Sequence, residues 1–164
     1  MNPAGEREYA EYVTARLPAL HRAAYLLTGD AHRADDIVQA TLTALYVHWR
    51  KARAADNIDA YVHRMLTHQF LDEKRLAWSR VLLRPIHRDS PAPVAFSFED
   101  HHLVHTALRK LPKGQRVVLV LRFLCDLSVE ETAAAMRCST GNVKSQTSRA
   151  LEAMRALLPS RSQA

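Results

Sequence analysis

Five polar or cationic residues near the end of the chain have the chemistry that nucleic-acid binding requires. Amide and hydroxyl groups hydrogen-bond to the edges of bases, and lysine or arginine side chains pair with phosphates. The five fall between residues 142 and 149, mostly off the side of a predicted helix that carries Val143, Leu151 and Met154. They are Asn142, Lys144, Ser145, Gln146 and Arg149.

The residues before this helix predict a helix-turn-helix motif. Ser128 and Glu131 form an S-x-x-E capping box at the start of a first helix. Ser139 follows a short turn and is a good N-cap for the second helix. Because such a motif places its second helix in the major groove of DNA, the five polar residues would meet base edges and phosphates. Arg116 and Arg122, on the preceding helix, could also reach phosphates.

Positive charge is concentrated on the segment that carries this motif. The net charge is +1 over residues 1–80, −1 over residues 81–100 and +6 over residues 101–164. Such a concentration is typical of proteins that bind nucleic acid. Two amphipathic helices of an ordinary bundle would show the same apolar spacing, but the charge distribution argues against that alternative.

The composition predicts a globular protein in a reducing cytoplasm. Of the 164 residues, 48% are hydrophobic and 24% are charged, which is not the composition of a disordered chain. Two cysteines do not make a disulfide framework. No apolar run reaches the length of about 18 residues that a membrane span needs, so we expect no membrane insertion. The N-terminal segment MNPAGEREYAEY lacks the apolar core of a signal peptide.

Apolar residues recur three and four positions apart almost throughout the chain, which predicts an all-α fold. Gly29 suits the end of the first helix, and Asp56-Asn57 is a capping pair for the third. The second helix should be broken near its start. The predicted helices span roughly residues 7–27, 31–53, 58–79, 100–110, 113–124, 129–136 and 140–158.

Residues 81–100 predict a flexible linker between two small helical domains. Pro85, Pro91 and Pro93 occur here, and proline disrupts helical hydrogen bonding. The segment is also rich in apolar residues, so we expect it to be extended, partly mobile and docked on another surface. The predicted domains are then a three- or four-helix bundle over residues 7–80 and a helix-turn-helix domain over residues 101–159.

Four sequence blocks, in order, resemble those of a known family. HRADDIVQATL (32–42) is similar to a helix that binds the polymerase clamp, and DAYVHRMLTHQFLDEKR (59–75) to the helix that recognises and opens the −10 element. LRKLPKGQRVVLVLRFLCDLSVEETAAAM (108–136) and NVKSQTSRALEAMR (142–155) resemble a −35-binding domain. The chain therefore resembles the extracytoplasmic-function (ECF) group of sigma-70-type specificity subunits of RNA polymerase, particularly an actinobacterial-type subgroup. Its two domains would correspond to sigma regions 2 and 4.

The resemblance implies roles for residues of the first domain. Asp35, Asp36 and Gln39 lie within one turn on the outward side of the second helix and would bind core RNA polymerase. Acids favoured by the dipole at a helix N-terminus are the alternative explanation. The third helix would hold single-stranded −10 DNA, with bases stacked on planar groups and cations on the backbone. Its candidate residues are Tyr61, His63, Arg64, His68, Gln69 and Arg75.

The resemblance also implies that the helix-turn-helix residues bind double-stranded −35 DNA and that an anti-sigma factor is a further partner. It implies no cofactor. Two other functions stay open: a stand-alone helix-turn-helix regulator that does not require polymerase, and a helical adaptor whose basic face meets an acidic protein. Promoter binding that depends on polymerase would distinguish a sigma factor from these two alternatives.

Three residues depart from the family's pattern. Arg137 replaces the glycine usual in the turn of the motif, where glycine serves a backbone with positive φ. The turn is therefore either mildly strained or differently shaped. Ala40 stands where the clamp-binding helix usually has an acid. His68 stands where the −10 helix usually has an asparagine, and it adds a group that titrates near neutral pH.

We predict no metal site and no catalysis by the chain alone. The sequence contains no G-x-x-x-x-G-K-[ST] nucleotide-binding motif, no G-x-S-x-G hydrolase motif and no H-E-x-x-H metalloprotease motif. One set of histidines and cysteines matches no compact zinc-binding spacing. It comprises His101, His102, His105, Cys125 and Cys138.

Overall fold

A computed structural model describes residues 1–73 and 98–159, including the side chains of all of these except 98–101. All regular structure in these two ranges is helical, and the predicted all-α fold is confirmed. The chain divides into two compact units, Met1–Pro93 and Val94–Ala164. The helices of the first unit are α1 (Pro3–Thr28), α2 (Ala31–Val47), α3 (Trp49–Arg53) and α4 (Ile58–Leu71).

The first unit is built around an apolar core shared by α1, α2 and α4. α1 packs on α2 and α4, and α2 also packs on α4. The residues that meet there recur at helical spacing, so each helix presents one apolar side to its neighbours. Burial of side chains of this size contributes roughly 1.5–3 kcal/mol each. Those with almost no exposed surface include Leu20, Leu27, Ile37, Leu45, Leu66 and Phe70.

Three helices of this unit begin with a side-chain cap, which fixes their starting residues. Asn2 Oδ1 accepts from the backbone N–H of Gly5, and Asn57 Oδ1 accepts from that of Ala60. Asp30 caps α2, and Gly29, with φ 70°, ends α1 as the sequence predicted. α1 begins four residues earlier than expected because Asn2 caps a helix that has proline in its first turn.

The predicted break in the second helix is in the wrong place. α2 runs without interruption from its first residue, and the helix is broken instead at His48, whose φ is −102° and ψ is 18°. The break turns the chain so that Trp49, only 4% exposed, packs against the rings of Tyr9 and Tyr12 at 5.5 and 5.7 Å between centroids. Tertiary packing of an aromatic side chain therefore decides this boundary.

The second unit carries the predicted motif. Its helices are α5 (Phe98–Lys110), α6 (Lys113–Leu119), α7 (Val129–Met136) and α8 (Thr140–Leu157), with a π-helical turn (Val120–Leu124) directly after α6. α6 and α7 both pack against α8. Ala133 and Ala135 are buried, so the small side chains of α7 permit a close approach of α8.

The helix predicted over residues 113–124 is in fact α6 followed by the wider π turn. At the end of that turn, the N–H of Cys125 donates to the carbonyl of Val120 at 3.0 Å. Phe123 and Leu124 remain largely exposed at its end. The predicted end of the third helix and nearly all of the predicted linker lie outside the described residues. No helix in the described ranges is long and apolar enough to cross a membrane.

Candidate nucleic-acid interface

The first helix of the motif begins with the predicted capping box. The hydroxyl of Ser128 accepts from the N–H of Glu131 at 3.0 Å, and the Glu131 carboxylate accepts from the N–H of Ser128 at 2.8 Å. Each side chain accepts a hydrogen bond from a backbone N–H that the start of a helix otherwise leaves to water. The start of α7 is therefore fixed by two residues close in sequence.

The turn of the motif has the left-handed backbone that the usual glycine would favour. Arg137 has φ 56° and ψ 44°, and the N–H of Cys138 bonds to the carbonyl of Ala133 at 3.1 Å. Of the two shapes predicted for this turn, the structure has the strained one. The hydroxyl of Ser139 then accepts from the N–H of Asn142 at 3.1 Å, which confirms its predicted role as N-cap of α8.

The second helix of the motif, α8, has one buried and one exposed side. Val143 and Ala150 are fully buried between α8 and its neighbours. Gln146 is half-buried beside Gly114 of α6, where an added Cβ would lie 3.6 Å from its amide nitrogen. The other four predicted contacts are all exposed, and together we call them the recognition face: Asn142, Lys144, Ser145 and Arg149.

The side chain of Arg116 forms hydrogen bonds within the protein that the sequence did not predict. Its guanidinium donates from Nε to the carbonyl of Leu108 at 3.0 Å and from Nη2 to that of Leu111 at 3.2 Å. These carbonyls lie at and beyond the end of α5, so the side chain caps that helix. Arg122 likewise donates to the carbonyl of Leu127. Some of the donors of both arginines are therefore occupied within the protein.

The predicted polymerase-binding residues lie on the side of α2 that faces away from the core. Gln39 is exposed, and Asp35 and Asp36 are half-buried. One turn earlier, Asp30 caps α2 by accepting from the backbone N–H groups of Arg33 and His32. The hydrogen bond from Arg33, followed by that from His32, holds the pKa of Asp30 below its usual value.

An ion pair missed by the sequence analysis joins the beginning of α2 to the residues after α4. Arg33 donates from Nε and Nη2 to the two carboxylate oxygens of Glu73, the second contact measuring 2.6 Å. The hydrogen bond to Glu73 raises the pKa of Arg33. The two residues are forty positions apart in the chain, so no local pattern points to their pairing.

Polar contacts also anchor the beginning of α4. The hydroxyl of Tyr12 donates to Asp59 at 2.7 Å, and Arg16 pairs with the same carboxylate at 3.0 Å. Burial, followed by the hydrogen bond to Asp59, raises the pKa of the Tyr12 hydroxyl. These contacts hold α4 against α1 and leave its other sides to the predicted −10 residues.

The predicted −10 residues on α4 are all half-buried. The guanidinium of Arg64 lies over the ring of Tyr61, 4.9 Å from its centroid, and Nδ1 of His63 lies 2.7 Å from the carbonyl of Asp59. His68 and Gln69 follow in the last turn of the helix. Five of the six candidates therefore lie on one helix, whereas Arg75 lies outside the described residues.

In residues 1–73 and 98–159, no group of three or more histidine, cysteine, aspartate or glutamate residues is placed to hold an ion. Cys125 and Cys138 are half-buried and are not joined in a disulfide.

Both units match models of known protein families. The family model described as sigma-70 region 2 matches residues 12–80, and that described as sigma-70, region 4 matches residues 101–154. The chain belongs to the sigma-70 family of RNA polymerase sigma factors. The two matches place the exposed side of α2 and all of α4 in region 2, and the helix-turn-helix motif in region 4.

Individual sigma factors resemble the chain over most of its length. RNA polymerase sigma-E factor of Streptomyces coelicolor is 34% identical over 160 residues, which cover 94% of this chain and 88% of that protein. Its counterpart from Streptomyces avermitilis is 36% identical over 94% of this chain and 87% of that protein. ECF RNA polymerase sigma factor EcfG of Rhodopseudomonas palustris is 31% identical, and the predicted resemblance to ECF sigma factors is confirmed.

Solved structures agree with this assignment. The sigma factor RpoE of Bartonella quintana, in complex with the anti-sigma factor NepR, superimposes with a TM-score of 0.76 at 25% identity, over 94% of this chain and 99% of that one. CnrH, in complex with the cytosolic domain of CnrY, shares the fold with a TM-score of 0.65.

Proposed function

We propose that this sigma factor binds core RNA polymerase and directs it to start transcription at specific promoters. The observation that carries the proposal is the presence of regions 2 and 4, in that order, in one chain that covers most of the length of its relatives. A stand-alone helix-turn-helix regulator, in which the first unit would sense a signal or dimerise, is not favoured, because that unit matches sigma-70 region 2. The chain would act in the cytoplasm and would catalyse no reaction of its own.

The recognition face of α8 would bind the double-stranded −35 element. Its four residues are exposed, whereas Val143 and Ala150 of the same helix are buried against neighbouring helices. Asn142 and Ser145 offer groups that can hydrogen-bond to base edges, and Lys144 and Arg149 offer cations for phosphates. Gln146 would contribute only from its exposed part, and Arg116 only through donors that its cap of α5 leaves over.

Single-stranded −10 DNA would lie along α4. The guanidinium of Arg64 lies over the ring of Tyr61, and stacking on aromatic or planar groups is the general means of holding an unstacked base. His63, His68 and Gln69 add hydrogen-bonding groups on the same helix, and Arg75 would follow it. Core polymerase would bind the outward side of α2 through Asp35, Asp36 and Gln39, where the carboxylates suit a basic partner.

A dedicated inhibitor is part of the proposal. RpoE and CnrH were both solved in complexes with an anti-sigma factor or the cytosolic domain of a partner protein. We propose that an anti-sigma protein likewise binds this chain and competes with core polymerase.

Run-off transcription on a promoter library, with and without this protein, tests the function. Specific transcripts should appear only when core polymerase and the protein are both present. Replacement of both carboxylates, Asp35→Asn with Asp36→Asn, should weaken binding to core polymerase. Glu11→Gln, which removes an exposed carboxylate from α1, is the matched control and should leave binding unchanged. Tight binding to promoter duplex without polymerase, together with no transcripts, would overturn the proposal.

A further inference from the structure

Arg137 occupies a backbone conformation that disfavours its side chain. Among the residues that the structure describes, Arg137 and Asp126 are the two non-glycine residues with positive φ. A Cβ in this region lies too close to the neighbouring carbonyl, so glycine is the residue that adopts it at least cost. The Arg137 side chain is exposed, and it therefore does not offset this cost by filling the core.

The position of this strained residue is informative. Arg137 ends α7 and precedes by two residues Ser139, whose hydroxyl caps α8. The first residues of the recognition face, Asn142 and Lys144, follow within the next two turns. In a helix-turn-helix motif the N-terminal end of the second helix enters the major groove, so the residues just before it pass close to the phosphates at the edge of that groove.

We propose that Arg137 is a DNA-binding residue whose guanidinium pairs with a phosphate of the −35 duplex. This inference rests on the proposed function, and it adds a contact that the recognition face alone does not include. A planar guanidinium matches phosphate geometry with two parallel hydrogen bonds, which suits arginine better than any other side chain. Because every sequence has the same phosphates, the contact strengthens binding without preferring particular bases.

A purely structural role makes the opposite prediction. A cation at the end of a helix is favoured by the helix dipole, so Arg137 could act only within α7. In that case Arg137→Gly would unfold at a lower temperature than wild type and bind DNA with an unchanged dependence on salt. If the proposal is correct, Arg137→Gly unfolds at a higher temperature, since the turn is relieved of its strain, but binds promoter DNA more weakly.

The experiment measures promoter binding by the polymerase holoenzyme as a function of salt concentration. Each lost phosphate contact reduces the slope of log K against log salt by about 0.9. We expect this reduction for Arg137→Gly on every promoter tested, and a slope close to wild type for Arg137→Lys. Arg155→Gln, which removes an exposed cation from the last turn of α8, is the matched control for net charge and should keep the wild-type slope.

Two results would overturn the inference. An Arg137→Gly slope equal to that of wild type, on a promoter where Lys144→Ala does reduce the slope, would show that Arg137 does not contact phosphate. Failure of the wild-type holoenzyme to bind any promoter specifically would instead remove the proposed function, and the inference with it.

Discussion

The guanidinium of Arg33 and the carboxylate of Glu73 face each other as a two-pronged ion pair between the first turn of α2 and the residues after α4. Glu73 is only 14% exposed and Arg33 is 41% exposed, so the pair is partly shielded from water and salt. α2 carries the proposed polymerase contacts and α4 the proposed −10 contacts. The pair therefore links the two helices that carry these surfaces, in addition to the apolar core that they share.

A double-mutant cycle should measure this coupling. Arg33→Ala, Glu73→Ala and the double variant should give a coupling free energy of about 1 kcal/mol, because the pair is two-pronged and partly buried. The Arg53–Glu8 pair is the control, since both side chains are nearly half-exposed, at 48% and 49%, and should give less than about 0.5 kcal/mol. Trp49 is buried in the first unit, so its fluorescence follows unfolding of that unit. Equal coupling in the two pairs would contradict the prediction.

Removal of the capping box should destabilise the second unit. Ser128→Ala leaves the N–H of Glu131 without its acceptor and should cost about 1 kcal/mol of unfolding free energy, whereas Ser128→Asp should retain most of the cap. Hydrogen exchange of the buried amides of α6, a helix of the same unit, measures this loss of stability. Ser148→Ala, in the exposed middle of α8, is the control and should be neutral or slightly stabilising. Unchanged exchange in Ser128→Ala would contradict the role of the box.

His105 should make the second unit less stable in mild acid. Burial, followed by the charge of Arg109, lowers the pKa of His105 below the unfolded value of 6.5. The folded state therefore binds a proton less readily than the unfolded state. The contribution of His105 to the stability of the second unit is complete above about pH 6.5 and decreases as the pH falls toward the pKa of His105 in the folded state.

His105→Gln should remove that part of the pH dependence. Unfolding of the second unit would be followed between pH 7 and pH 5, by hydrogen exchange of the amides in α6. His102→Gln removes one of the smaller charge effects that lower the pKa of His105, so it should weaken the pH dependence only in part. Identical profiles for wild type and His105→Gln would refute the prediction.

Two classes of variant on the recognition face should behave differently. Lys144→Ala and Arg149→Ala should weaken holoenzyme binding to all promoters and each reduce the salt slope by about 0.9. Asn142→Ala should instead change which −35 sequences are preferred, at roughly 1–3 kcal/mol for a contacted base. Salt titration of holoenzyme binding measures the first effect, and selection from a randomised −35 library measures the second. Wild-type promoter activity in both the Lys144 and Arg149 variants would show that the face is wrongly assigned.

The sequence predicted most accurately those features that depend on residues close together in the chain. The Ser128–Glu131 box, the Ser139 cap and the end of α1 at Gly29 each involve short-range backbone geometry, and all three are as predicted. The exposed and buried sides of α8 also follow directly from its apolar spacing.

Features that depend on distant residues could not be predicted in this way. The break at His48 follows from the packing of Trp49 against α1, which lies far away in sequence. Arg116 was predicted to reach phosphates because it is a cation near the motif, yet carbonyls at the end of α5 take several of its donors. Such pairings are decided by the tertiary structure rather than by residue type.

Side-chain caps begin five of the described helices, α1, α2, α4, α7 and α8, and each cap joins residues only two or three positions apart. Such short loops close within tens of nanoseconds, before distant parts of the chain can meet. Most helix starts are therefore specified before a core exists, and a fold rich in such local contacts reaches its native state quickly. During synthesis, the first unit could then be complete while the ribosome is still adding the second.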